Sequence, residues 1–171
     1  KGKGAAMRNV SPKMRQVVDW SAAVWAGIVA GLVFMLLNLY VTPYVLGGNA
    51  WVMVRLFASV ILGQGILAPP ASFDLAATVA ALVTHFTLSV AFALLLAYII
   101  HRGGLITGVL GGALFGMALY FINFYTLTWF FPWFFALKSN IMLGTHLLFG
   151  ALAGGTYEVL EVEEFVPIDD Q

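Results

Sequence analysis

Apolar residues run in long blocks along this chain, interrupted at few points. Four blocks are long enough to cross a bilayer as helices, at about 20–42, 76–100, 105–127 and 140–158; a span takes about 20 predominantly apolar residues. His101-Arg102-Gly103-Gly104 makes a tight turn between the second and third. A fifth apolar stretch, about 50–67, is shorter, and Pro69-Pro70 ends it. Its Arg55, Ser59 and Gly63 recur every fourth residue, a narrow polar stripe that predicts a helix lying in the outer interface. A fifth full span is the alternative.

The pattern is also written twice. Slid by 85 positions, 20–45 falls on 105–130, with Ala23 on Gly108, Gly27 on Gly112, Gly31 on Gly116, Asn38 on Asn123 and Tyr40 on Tyr125. A shift of 61 puts Thr84-His85 on Thr145-His146, Ser89 on Gly150 and Ala93 on Gly154. The expected fold is an all-α membrane protein of four transmembrane helices, arranged as two parallel-repeat hairpins about a pseudo-twofold axis, plus the outer interfacial helix. A fifth span would invert one hairpin, so the repeat argues against it. Small residues at four-residue spacing, notably Gly27, Gly31, Gly108, Gly112, Gly116, Gly150 and Gly154, predict close helix packing. In lipid, such stripes supply dispersion contacts that no hydrophobic drive replaces.

Composition narrows the class. Of 171 residues, 61% are hydrophobic and 9% charged, whereas soluble domains carry about a quarter charged residues. The chain therefore reads as one membrane domain over 1–171. Five of the eight Lys/Arg precede the first span and five of the eight Asp/Glu follow the last. With the Arg102 turn, the positive-inside rule places tails 1–19 and 159–171 in the cytoplasm, in a bacterial inner membrane. The first apolar block has the length of a span and no A-x-A site, so it reads as an anchor rather than a signal peptide. Polar tails fray unless held, which suggests a partner. Cysteine is absent, which removes disulfides and thiolate-held metals or clusters.

Few polar residues sit within the blocks. Asn38 and Asn123 fall near the outer ends of spans one and three, His85 and His146 near the outer starts of spans two and four. Such groups face the bundle interior and seek partners. The first reading is an Asn–His hydrogen bond across each hairpin, helped by Thr84 and Thr145 and flanked by Tyr40 and Tyr125. Second readings are bis-imidazole ligation of a b-type haem by His85 and His146, or a cradle for a quinone or lipid headgroup. No intramembrane carboxylate completes a divalent metal site. No Gly-x-Ser-x-Gly, His-Glu-x-x-His or phosphate-binding loop is present, so no catalytic residue is assigned. Spans without internal proline or mid-membrane charge give little support to transport, although a small transporter or channel stays a third reading. The outer loops, rich in Trp and Phe around WFFPWFF, predict an interfacial belt and offer a docking surface.

The stretches GLVFMLLNLYVTPYVLGG, VILGQGILAPPASFDL, FINFYTLTWFFPWF and THLLFGAL resemble a group of small bacterial four-span membrane proteins of unknown function, some labelled symporter-like. That resemblance implies the fold and supplies no functional residue; a sodium-symporter role conflicts with the small size and missing ion site. The expected function is a non-catalytic accessory subunit of a larger inner-membrane complex, plausibly respiratory or energy-converting. Its expected partners are lipids and other integral subunits, with no nucleic acid.

Overall fold

The structure, a computed structural model, describes residues 13–167. The basic residues Lys1, Lys3 and Arg8 and the acids Asp169 and Asp170 lie outside the described residues, as do the outer parts of both tails.

Among the described residues six α-helices follow in order: α1 (Trp20–Leu36), α2 (Thr42–Leu46), α3 (Ala50–Leu62), α4 (Leu75–Ile100), α5 (Gly104–Phe121) and α6 (Asn140–Leu160). Local chemistry sets where they start. Asp19, Asn49, Asp74 and Ser139 stand in extended conformation, and each side chain accepts a backbone N–H of the first turn. Such caps satisfy donors that the helix cannot. α5 lacks a side-chain cap; it follows the tight turn through Gly104, whose φ of +73° suits glycine.

α1 and α2 are joined by a π turn, Leu37–Val41, and α5 continues into another, Ile122–Thr126. The two π turns begin 85 positions apart, and each carries asparagine as its second residue. Helical backbone thus runs over Trp20–Leu46 and Gly104–Trp129, which with Leu75–Ile100 are three helices long and apolar enough to cross a membrane. α6, with 21 residues, rises about 31 Å at about 1.5 Å per residue. Its composition is less apolar because Gly144, Thr145, His146, Gly150, Gly154, Gly155, Thr156 and Glu158 occupy it.

α1 lies between α4 and α6, and α6 lies between α1 and α5. A strict twofold would make the α1/α6 and α4/α5 contacts equivalent. Instead α1 packs along α6 while α4 and α5 barely touch. One core layer joins Ala23, Ala26 and Ala30 of α1 to Ala93, Leu96 and Ala97 of α4 and to Phe149, Ala153 and Tyr157 of α6. Alanine there lets backbones approach. The outward faces carry exposed Trp25, Leu32, Leu95, Ile106, Leu110 and Leu114, a surface suited to lipid.

Two features differ from expectation. α3, of 13 residues, rises about 20 Å, short of a bilayer core of about 30 Å. Its polar stripe is engaged by the protein rather than left wholly to solvent. The Arg55 guanidinium donates to the carbonyls of Ile66, Ala68 and Ser72 at 3.0–3.4 Å. Ser59 is fully buried, donating to Leu56 O and accepting from Trp133 Nε1 at 2.8 Å. α3 therefore roofs one end of the bundle, with Ala58 against Ala77 and Ala81 of α4.

The fold is also not purely helical. β1 (Met14–Val17) and β2 (Glu164–Pro167) form an antiparallel ribbon, Met14 opposite Pro167 and Val17 opposite Glu164. The inner parts of the tails hold each other. Asp19 locks the arrangement by accepting from Ala22 N and Val162 N.

Candidate functional site

Under the α3 roof, α1, α4, α5 and α6 enclose a cavity of about 270 Å³. Its walls are aromatic, with Phe34, Phe57, Phe92, Phe124, Phe134 and Phe149. Among them stand a few polar groups: Thr84, His85 and Ser89 of α4, Asn123 of the second π turn and His146 of α6. An apolar chamber with few convergent polar groups is the ordinary form of a small-molecule site.

The two histidines are held differently. His146 Nδ1 lies 2.8 Å from Met142 O, and its Nε2 lies 3.1 Å from Asn123 Nδ2. A carbonyl only accepts, so Nδ1 carries the proton and Nε2 accepts from the Asn123 amide. His85 Nε2 lies 2.8 Å from Gly31 O, so here Nε2–H donates and Nδ1 is the bare nitrogen. Phe34 touches both imidazoles, stacked on His85 at 5.7 Å and edge-on to His146 at 5.0 Å between centroids.

The expected Asn–His bond is thus made across α5 and α6 and not across α1 and α4. Asn38 is fully buried but bonds within its own helix. Its Nδ2 donates to Phe34 O at 2.9 Å, and its Oδ1 accepts from Thr42 at 3.2 Å. Asn123, at the matching place in the second π turn, bonds across to α6 instead. The threonines also part. Thr145 Oγ1 donates to Met142 O at 2.9 Å, whereas Thr84 Oγ1 is buried at the cavity wall with no hydrogen-bond partner. A buried orphan hydroxyl costs about 1–3 kcal/mol.

Tyr40 and Tyr125 do not join the site; both are more than half exposed. Tyr125 instead takes the Lys138 ammonium over its ring at 3.8 Å, a cation–π contact. The glycines take the packing role. A Cβ on Gly112 would strike Gly150 O, one on Gly154 would strike Gly108 O, and one on Gly116 would strike His146 O. Gly27 and Gly31 face Val90, Ser89 and Ala93 of α4. Phe34 is the main element unforeseen from sequence. Its signal was available, one helical turn before Asn38, but the position matches Leu119 in the repeat, so the doubled pattern hid it.

A bis-imidazole haem does not fit this arrangement. Both nitrogens of His146 and one of His85 are committed to hydrogen bonds, Phe34 packs against both rings, and no basic residue lines the cavity for propionates. Among the described residues no group of three His, Cys, Asp or Glu could hold a metal ion. No family model, curated protein or solved structure matches the chain, which leaves its chemistry to the site itself.

Proposed function

We propose that this chain is a non-catalytic integral membrane protein that holds a lipophilic molecule, headed by a carbonyl or hydroxyl group, in the cavity between its hairpins. The observation that carries this is an aromatic-walled chamber lined by both His85, whose Nδ1 makes no hydrogen bond, and Thr84, whose buried hydroxyl has no partner. A hydroxyl offers a donor and an imidazole nitrogen an acceptor, which suits a quinone, its quinol or a lipid head. Four spans, α1, α4, α5 and α6, run as two parallel repeated hairpins, with both termini on the cytoplasmic side of a bacterial inner membrane. The native chain has no cysteine, so single cysteines at Arg102 and Tyr44 can be labelled from either side of a vesicle. Labelling of both from the same side would overturn the topology.

The binding reading is tested in lipid nanodiscs with a short-tailed benzoquinone, its quinol and an alkane of matching length, read by quenching of intrinsic fluorescence. Saturable quenching by quinone or quinol, weakened about fivefold in Thr84→Val, is expected, since one hydrogen bond contributes about 1 kcal/mol. Equal response to the alkane would sink the proposal.

A second reading, an accessory subunit of a larger complex, is favoured by the aromatic surface at the roofed end. Tyr44, Trp129 and Phe130 are 90%, 86% and 73% exposed there, and such residues anchor interfaces. Purification from the native membrane with no co-migrating chain would remove it.

A further inference from the structure

The opposite end of the bundle, where the ribbon folds back, carries a second recess of about 590 Å³. Arg15 and Gln16 of β1 form one side of it; His101 and Arg102 of the α4–α5 turn form the other, with Trp20 and Tyr98 at its margin. Among the described residues no carboxylate lines it. The nearest one in sequence, Asp19, has its two oxygens engaged by Ala22 N and Val162 N. Two guanidiniums therefore share the recess. Strand pairing holds Arg15 in place opposite Val166. His101 is fixed by a 3.0 Å bond from Nδ1 to Tyr98 O.

The setting identifies the anion. The recess sits at the ends of membrane-crossing helices, and Trp20, Tyr98 and Ile99 beside it are all more than half exposed. Trp and Tyr favour headgroup depth, and exposed apolar side chains there offer a track for acyl chains. A guanidinium recognises phosphate oxygens through paired N–H donors. We propose that this recess binds the phosphate of an anionic phospholipid in the leaflet that borders the ribbon. The site is independent of the aromatic cavity at the other end. Its consequence is architectural: a lipid seated there would tie the ribbon to the α4–α5 turn.

Native mass spectrometry of the full chain, released from micelles containing phosphatidylglycerol or phosphatidylcholine of matched acyl length, tests this. Phosphatidylglycerol should remain bound in preference, and Arg15→Gln and Arg102→Gln should each weaken retention about fivefold, the effect expected of one basic residue at a membrane surface. Lys138→Gln, at the other end, should leave retention unchanged. Equal retention of the two lipids, or an undiminished preference in both single variants, would overturn the proposal. So would displacement of phosphatidylglycerol by millimolar inorganic phosphate, which would mark the recess as a site for a free anion.

Discussion

The two hairpins carry matching residues and pack by different means. Between α5 and α6, glycine meets glycine, and Gly112 and Gly150 lie so close that a Cβ on either would strike the other's backbone carbonyl. Between α1 and α4 the glycines lie on one side only. A Cβ on Gly31 would meet the Ser89 side chain at 2.8 Å, and one on Gly27 would meet Val90 Cα at 2.7 Å. The tight hairpin carries the Asn123–His146 bond and the looser one does not. In the looser one, the His85 imidazole reaches across to Gly31 O. The difference teaches that a small-residue stripe gives its closest backbone contact where both helices contribute glycine.

Exchanging the equivalent residues tests that directly, and it should give the largest effect. Gly150→Ser installs in α6 the residue that α4 carries at Ser89. Its Cβ would strike Gly112 O, with only backbone to yield. A cost of about 3 kcal/mol is expected, at the upper end for overpacking. The reverse change, Ser89→Gly, removes a small side chain facing Gly31 and should cost less than about 1 kcal/mol. Thermal unfolding in one detergent measures both. Comparable losses would show that the two interfaces do not differ as described.

This asymmetry bears on what the sequence could disclose. The helices were legible because apolar blocks and tight turns act locally. The gathering of His85, Asn123 and His146 around one region was legible too, since polar groups in apolar helices must turn inward. Partner choice was not. Asn38 and Asn123 occupy matching places, yet one satisfies Phe34 O of the preceding turn of α1 and the other reaches His146. Which acceptor wins depends on helix separation, which is not encoded in residue spacing. The ribbon was hidden for another reason. Its strands are four residues each, Met14–Val17 and Glu164–Pro167, too short for alternation to register, and they pair across nearly the whole chain. α3 misled because Arg55 at a helix surface reads as solvated. The loop folds back to offer it three carbonyls instead.

The histidines sharpen the comparison at the level of single protons. His85 should hold its proton on Nε2 and His146 on Nδ1, because each of those nitrogens faces a carbonyl oxygen. Nitrogen-15 chemical shifts of histidine-labelled protein distinguish the two tautomers, and two opposite patterns are expected. Asn123→Leu removes the donor to His146 Nε2 and should cost about 0.6 kcal/mol, the average for an interhelical hydrogen bond in a membrane. Its spectral effect should fall on His146 alone. A shift of the His85 signal of similar size would mean that the imidazoles are coupled through Phe34, whose ring touches both.

The smallest effect should appear where the hairpins are joined, at the ribbon end. Asp19 caps α1 through Ala22 N–H and also accepts from Val162 N–H, and these bonds hold its carboxyl below the usual value of 3.8. A carboxyl depressed by folding contributes stability above its unfolded value, and that contribution fades as pH falls through the lower folded value. The side chain is partly exposed, so water screens much of the gain. As pH falls through that lowered value the Val162 amide should therefore exchange with solvent several-fold faster once intrinsic exchange rates are divided out, while amides of α5 and α6 stay protected. Asp19→Asn should raise Val162 exchange at neutral pH and flatten its dependence on acid. If the variant left Val162 protected, the ribbon pairing of Met14–Val17 with Glu164–Pro167 would by itself suffice to close the tails, and the Asp19 bond would serve only as the cap of α1.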